Sequence, residues 1–539
     1  MKNNNISQSP AASIRKSYLM SGGVKLLLSA FWIVAIIFPL IKMLSNMGSI
    51  DTLAMISEKR FQTALVQSLI VAIVSTLISV SLAGLMAWCT TRTAIKFKSG
   101  FSVIFTVPML IPSISHGMGL IILFGSNGII NNMFGTDISV YGFWGIVIGS
   151  VMYSFPVAYL LLYDVLRFED STPYEAADVL GLSKLNRLFA ITLPYLRKPL
   201  ISVFFATFTM IITDYGVPLM IGGKYTTLPV MMYQDVIGML DFGRGSVIGM
   251  VLLIPALIAC LIDMFNRDKG NTAFVARPFK IRPRHSRDIT AYVICILVSA
   301  LVVLPIAVFA CVAFVRKYPI DMSLTTANIE QALRMNAGTY LINSVIISVF
   351  VCIIGVVLAT VCAYFTARMP SKFSKMLHLL SITSLAIPGL VLGLSYVMFF
   401  KKSFIYGTFA MLILVNTMHF FSSPYLMMYN TFNKLNANLE SVGKTLGISR
   451  MRMIKDVIIP LSSGTLVEMA SYFFVNSMMT ISAVSFLATQ ANKPVSLMIT
   501  QFEGQMQLEC AAFVSLLILV INVILKIAAF VIKKKLTKR

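Results

Sequence analysis

The chain has 539 residues, of which 57% are hydrophobic and 12% charged, with a mean hydropathy of +0.84. Soluble domains average about 45–50% apolar residues, so a water-soluble globular fold is excluded. The formal charge of +23 would suit a nucleic-acid partner, but its distribution argues otherwise once the spans are placed.

Apolar windows long enough to cross a ~30 Å hydrocarbon core fall at 24–46, 62–91, 102–124, 138–163, 198–223, 244–265, 289–315, 339–367, 377–400, 404–430, 461–488 and 508–532. They predict an all-α protein of the lipid bilayer with twelve transmembrane helices. The first window is too long for a signal-peptide core and eleven more follow it, so it reads as a retained helix. The expected divisions are a cytoplasmic tail at 1–23, a first half at 24–265, a basic linker at 266–288, a second half at 289–532 and a basic tail at 533–539. With the N-terminus inside, 31 of the 44 Lys and Arg residues fall in cytoplasmic segments, 10 in external ones and three at or within spans. The positive-inside rule accounts for that imbalance with no nucleic acid. All seven cysteines lie in apolar windows without metal-ligand spacing, as small core residues do.

The two halves repeat one another. Gln67-Ser68, Ala83, Ala87, Thr90 and Arg92 recur 276 residues on as Asn343-Ser344, Ala359, Ala363, Thr366 and Arg368, as does Ile111-Pro112 with Gly117 in Ile387-Pro388 with Gly393. Tyr159 and Tyr163 recur as Tyr425 and Tyr429 at an offset of 266, the difference being a longer external loop in the first half. Six spans per half start both copies on the same side, so the repeats are parallel, with a pathway expected between them.

A second repeated feature lies between the fourth and fifth span of each half. Glu175-Ala176-Ala177, Gly181 and Pro194 recur as Ser441-Val442-Gly443, Gly447 and Pro460, with thirteen positions from Gly to Pro in both copies. Pro173 suits a helix start, Glu175 suits its first turn and Gly181 suits a sharp exit. Two such water-exposed amphipathic elements, about 171–190 and 437–456, predict a pair of docking surfaces.

At these residues the chain resembles the membrane subunits of ATP-binding-cassette importers, whose coupling helix has the pattern Glu-Ala-Ala, three residues, Gly, and then Ile-x-Leu-Pro. Glu175, Ala176, Ala177, Gly181, Ile191, Leu193 and Pro194 match nearly completely; the second copy keeps Gly447, Ile458 and Pro460, with Glu440 one position early and Gly443 in place of the second alanine. The resemblance implies a type I importer permease with both halves fused, in a bacterial inner membrane with both termini cytoplasmic. It also implies two cytoplasmic ATPase subunits that hold the ATP and Mg, and an extracytoplasmic solute-binding protein. No cofactor is expected on this chain. Gly443-Lys444-Thr445 is not a phosphate loop, since position 438 is Asn, and His116, His285, His378 and His419 form no metal or catalytic set. The chain is therefore expected not to be an enzyme.

Ionisable groups deep in a span are functional candidates by default. Asp214, with Tyr215 and Gly216, lies within the fifth span, and its repeat-mate Thr480 stands among Asn476 and Ser482. These six are the expected substrate pathway. The fused arrangement is similar to permeases for ferric iron, thiamine and 2-aminoethylphosphonate, and the stretch from Ser471 to Val484 most resembles the last group. The expected cargo is thus a phosphonate, contacted by hydroxyls and amides rather than by Asp214. Ferric iron or thiamine is the alternative, and for ferric iron Asp214 becomes the favoured contact. An ion-coupled carrier is less favoured, because the loops after the second span of each half lack the acid such carriers need.

Overall fold

The computed structural model describes residues 22–266, 277, 279, 281 and 283–537. Most of the expected N-terminal tail, much of the linker and the last two residues lie outside the described residues. Nine helices among the described residues are long and apolar enough to cross a membrane, or twelve if three bent pairs each count as one span. In chain order these are α1 (Gly22–Gly48), α2 (Lys59–Arg92), α3 (Ser113–Phe134), α4 (Phe143–Arg167), α5 (Leu185–Ile212), α6 (Phe242–Asn266), α7 (His285–Val312) and α8 (Ala337–Ala367). The pairs α9 (Lys372–Ala386 with Gly389–Phe400), α10 (Phe409–Phe420 with Ser422–Lys434) and α11 (Arg450–Leu461 with Ser463–Met479) bend by 110°, 53° and 75°, and α12 is Leu508–Leu536. A two-stranded hairpin, Val315–Lys317 with Asp321–Leu324, is the one sheet among the described residues.

The third span of each half breaks at its Ile-Pro pair. A proline has no N–H to donate and forces its predecessor out of the helical region. Ile111 and Ile387 are accordingly extended, and fresh helices begin at Ser113 and Gly389 behind the prolines. Pro194 and Pro460 behave differently: Leu193 and Ile459 before them stay helical, and each proline follows a π-helical turn, Leu188–Thr192 and Ile454–Ile458. The fifth span of each half, expected to run unbroken through 223 and 488, instead ends at Ile212 and at Met479.

Residues that repeat in the sequence make matching bonds within the two halves. Ser68 Oγ accepts from Leu228 N at 2.7 Å, and Ser344 Oγ accepts from Val495 N at 2.8 Å. Each serine pins the segment that follows its half's fifth span. Tyr159 Oη donates to Thr90 Oγ1 at 3.3 Å, and Tyr425 Oη to Thr366 Oγ1 at 2.9 Å.

The first helix of each half packs on the other half. Trp32 of α1 meets Phe421 at a ring separation of 4.3 Å, and Tyr396 Oη donates to Ala35 O at 2.7 Å. Reciprocally, Tyr292 of α7 meets Phe101 at 5.6 Å, and Pro305 closes on Gly119, where a Cβ would lie 2.8 Å from the proline ring. Between helices in lipid, association rests on close packing and hydrogen bonds, because lipid tails are as apolar as leucine. One continuous buried core runs from Trp32 to Leu519 and includes both halves.

Candidate functional site: two docking helices and an inter-half pathway

The docking elements fold as helices Thr172–Val179 and Leu439–Thr445. Each ends in the same cap. Gly181 N donates to Asp178 O and Leu182 N to Ala177 O, while Gly447 N donates to Lys444 O and Ile448 N to Gly443 O. That double bond pattern needs a left-handed residue, and the two glycines have φ of +67° and +68°. Beyond each glycine there is open space, so backbone conformation is what requires it here. Around the caps stand exposed apolar side chains: Val179, Leu180 and Leu185 in the first copy, Val442, Leu446 and Met451 in the second. Apolar groups clustered at such exposed caps make them candidates for an interaction surface.

Beneath each helix an arginine from the end of the second span ties it to the membrane domain. Arg92 pairs with Glu169, and Arg368 with Glu440. Glu169 is nearly fully buried and also accepts from Tyr174 Oη at 2.7 Å; burial pushes the Tyr174 phenol up to about 12, so it stays a donor. Arg368 is more extensively engaged. Its Nε donates to Glu440 Oε1 at 2.7 Å, while its terminal nitrogens reach the carbonyls of Phe432, Leu435 and Asn436. The Glu440 side chain, expected beside the partner, is thus turned to an internal ion pair, whereas Glu175 is exposed and accepts from Ser171 Oγ at 3.0 Å. Ala176 is exposed, Ala177 buried, and Pro194 and Pro460 exposed. In the second copy Gly443 stands where the first has Ala177, and the mobile end of Met453 fills the space, its Cε 2.1 Å from where a Cβ would lie. Its counterparts Ala177 and Arg187 leave room for an Arg187–Asp178 ion pair instead. The linker touches the first copy, Arg277 O accepting from Ser171 N at 2.9 Å and Phe279 lying 3.7 Å under the Arg92 guanidinium.

Deeper in the membrane, the break after α5 brings Asp214 to the start of a short helix, Gly216–Ile221, where Asp214 Oδ2 accepts from Val217 N at 3.0 Å. Asp214, Asn476 and Ser482 are half-buried; Tyr215, Gly216 and Thr480 are buried. Of the six expected pathway residues, therefore, only the first three are partly accessible. Tyr215 serves the contact between halves, its hydroxyl 2.6 Å from Ser485 Oγ. Thr480 O accepts from Ser496 Oγ at 2.7 Å.

Two close approaches flank the break. A Cβ on Gly216 would lie 2.3 Å from Ser113 Oγ, and a Cβ on Gly389 would lie 2.3 Å from Ser482 Oγ. Ser113 and Gly389 are repeat-mates, as are Gly216 and Ser482, so the same contact is built with serine and glycine exchanged. Sequence reasoning missed Tyr153 and Tyr472, both half-buried, because a tyrosine in an apolar window carries no periodic signal. One clue was available: Tyr153 repeats as His419 at the 266 offset. Among the described residues no three His, Cys, Asp or Glu side chains are arranged to hold a metal.

The family described as the binding-protein-dependent transport system inner membrane component matches this chain twice, over residues 81–267 and 354–538. The ferric transport system permease protein FbpB of Actinobacillus pleuropneumoniae is 25% identical over 438 residues, which is 78% of this chain and 63% of that protein. The chain thus spans less than two thirds of that relative's length. The Fe(3+)-transport system permease protein FbpB 2 of Haemophilus influenzae is 21% identical over 500 residues, 91% of this chain and 93% of its own. The molybdate/tungstate permease WtpB of Methanocaldococcus jannaschii is 30% identical over 237 residues, covering 92% of that protein but 44% of this chain. Two family matches, two docking helices and one core shared by both halves lead to one conclusion: the chain belongs to the family of binding-protein-dependent transport system inner membrane components, as a fused permease of an importer of the ATP-binding-cassette class.

Proposed function

We propose that this permease carries ferric iron, delivered by an extracytoplasmic binding protein, across a bacterial inner membrane. The observation that carries the reading is the extent of the likeness: of the relatives named above, those that align with both halves are ferric permeases, whereas the molybdate/tungstate permease aligns with about one half. The comparisons give no support to the phosphonate expected from the stretch Ser471 to Val484. Thiamine likewise has no counterpart among the relatives named. An unpaired carboxylate inside the membrane also favours a cation. Among the described residues no Lys or Arg forms an ion pair with Asp214, and a carboxylate would repel an anion by several kcal/mol at an effective dielectric near 20.

In this reading the exposed apolar caps of Thr172–Val179 and Leu439–Thr445 each seat in one of two cytoplasmic ATPase subunits. ATP and Mg are held there, and the chain itself catalyses nothing. Both termini, the linker and both docking helices then face the cytoplasm. The test is uptake in cells lacking other iron importers and carrying the whole system: ferric iron accumulates in a manner that depends on this chain, and 2-aminoethylphosphonate does not. Chain-dependent phosphonate uptake without iron uptake overturns the reading. Cysteines at Ser286 and Asn127 in a Cys-free background check the orientation, with an impermeant external reagent expected to label position 127 alone.

A further inference from the structure

We propose that Lys25 and Asp288 are crossed ties: each fixes the first helix of one half to the turn that carries the other half's docking helix, so that a docking helix moved by its ATPase drives the opposite half. This rests on the reading above that the docking helices seat in ATPase subunits, and adds to it the residues that carry the motion and the direction in which it crosses.

Each tie starts at the fourth residue of a first helix, Lys25 in α1 and Asp288 in α7. Lys25 Nζ donates to Met369 O at 2.8 Å and to Ser371 Oγ at 3.1 Å, with the Phe365 ring centre 5.8 Å away. Asp288 Oδ1 accepts from Ala94 N at 3.1 Å, while its Oδ2 accepts from Arg284 N at 2.8 Å at the start of its own helix. Ala94 and Met369 stand just past the second span of each half, two residues beyond Arg92 and one beyond Arg368. Those arginines are the ones paired with Glu169 and Glu440 under the docking helices. Glu440 lies in its docking helix, and Glu169 reaches its own through Tyr174. In both copies, therefore, the order of contacts is docking helix, arginine, turn, and first helix of the other half. Each copy adds one more hold on the same turn or helix. Arg450 of the second docking segment reaches Met369 Sδ at 3.6 Å, and Asp170 Oδ1, beside the first docking helix, accepts from Arg277 N of the linker that leads into α7 at 3.0 Å.

The sign of each charge follows from what its turn offers. Position 94 supplies a backbone N–H, which an acid accepts. Its repeat-mate, position 370, is a proline with no N–H to give, so the equivalent tie is made one residue earlier, at a carbonyl, where only a donor serves. Lys25 is 5% exposed, and a buried ammonium is costly unless it is paired or hydrogen-bonded. Its two oxygen partners both belong to the other half, so the bonds that make this burial tolerable are the ones that join the halves. Apolar packing is non-directional and lets helices slide past one another. A bond with one fixed donor and one fixed acceptor holds register, and an ionised partner makes it about twice as strong as a neutral bond. These two contacts can thus transmit a displacement along the membrane normal that the surrounding apolar contacts would let slip.

The test uses the complete importer, reconstituted with its ATPase subunits and binding protein in nanodiscs, with spin labels on Leu53→Cys and Ile320→Cys in a Cys-free background. Both residues are exposed and lie beyond the far ends of α1 and α7. ATP with vanadate is expected to change the distance between the labels. Lys25→Met and Asp288→Ala should each cut the population of the ATP-driven state by roughly fivefold or more, the low end of coupling between sites, while the ATPase subunits stay bound. Lys25→Arg and Asp288→Asn keep the donor and the acceptor and should restore most of it. A merely structural role would lower the yield of assembled importer without shifting that population. Should Lys25→Met fail to assemble, Lys25→Gln, which keeps a donor on a shorter arm, is scored in its place. The crossing is read from double-mutant cycles: Asp288→Ala should be non-additive with Arg92→Lys and additive with Arg368→Lys, and the Lys25 variant the reverse. Wild-type populations in the variants, cycles that do not distinguish the two arginines, or a wild-type importer whose bound ATPases leave the labels unmoved overturn the ties while the docking reading stands. A wild-type permease that binds no ATPase subunit overturns the docking reading, and the ties fall with it.

Discussion

At Gly181 and Gly447 the backbone conformation alone accounts for glycine. Their spacing pointed to a docking element, yet the space around them is open and only the left-handed cap requires glycine. A side chain in that conformation costs about 1–2 kcal/mol, and Asn tolerates it best. Gly181→Asn and Gly447→Asn should therefore retain most substrate-stimulated ATP hydrolysis in the reconstituted importer, and Gly→Val should lose most of it. Equal activity of Asn and Val variants would refute the cap argument. The arginines below the helices differ in how replaceable they are. Arg368 serves a carboxylate and three carbonyls with a planar fork that Lys lacks, whereas among the described residues Arg92 hydrogen-bonds Glu169. Arg368→Lys should lower the thermal midpoint of the purified protein more than Arg92→Lys, as read by loss of the monodisperse chromatographic peak on heating.

At the scale of elements, the contact between the third and fifth span of each half is open to a direct test. Gly389→Ser alone would drive a side chain into Ser482 Oγ, 2.3 Å from the new Cβ. Adding Ser482→Gly recreates the arrangement of the first half and should restore expression and uptake, a strong coupling in a double-mutant cycle. Failure of the pair to do better than the single change would remove the exchange from consideration. The twelve apolar windows, the parallel repeat and both docking segments were legible because length, hydropathy and the Gly-to-Pro spacing are local properties. The breaks at Ile212 and Met479 were not, since Asp214 and Thr480 announce a weak helix without saying which backbone N–H groups will be met elsewhere.

At the scale of the whole molecule, the exchange of α1 and α7 makes each half incomplete without the other. Cys89 of α2 and Cys295 of α7, both buried in the cluster where α7 packs on the first half, offer a reporter. A chain cut within the linker and co-expressed as two pieces should still assemble, and mild oxidation should join the pieces covalently through these two thiols. Pieces that assemble but never cross-link would contradict the exchanged packing. The serine and glycine that trade places between the halves have a consequence for descent. Two copies of one ancestral segment in a single gene are prone to overwrite each other by conversion. A tract carrying the third span of the first half into the second would set Ser113 against Ser482; the reverse tract would set Gly389 against Gly216 and leave a hole. Each half thus accepts its own parts and rejects those of its twin, so the duplication, once these pairs diverged, protected the differences between its copies from being erased.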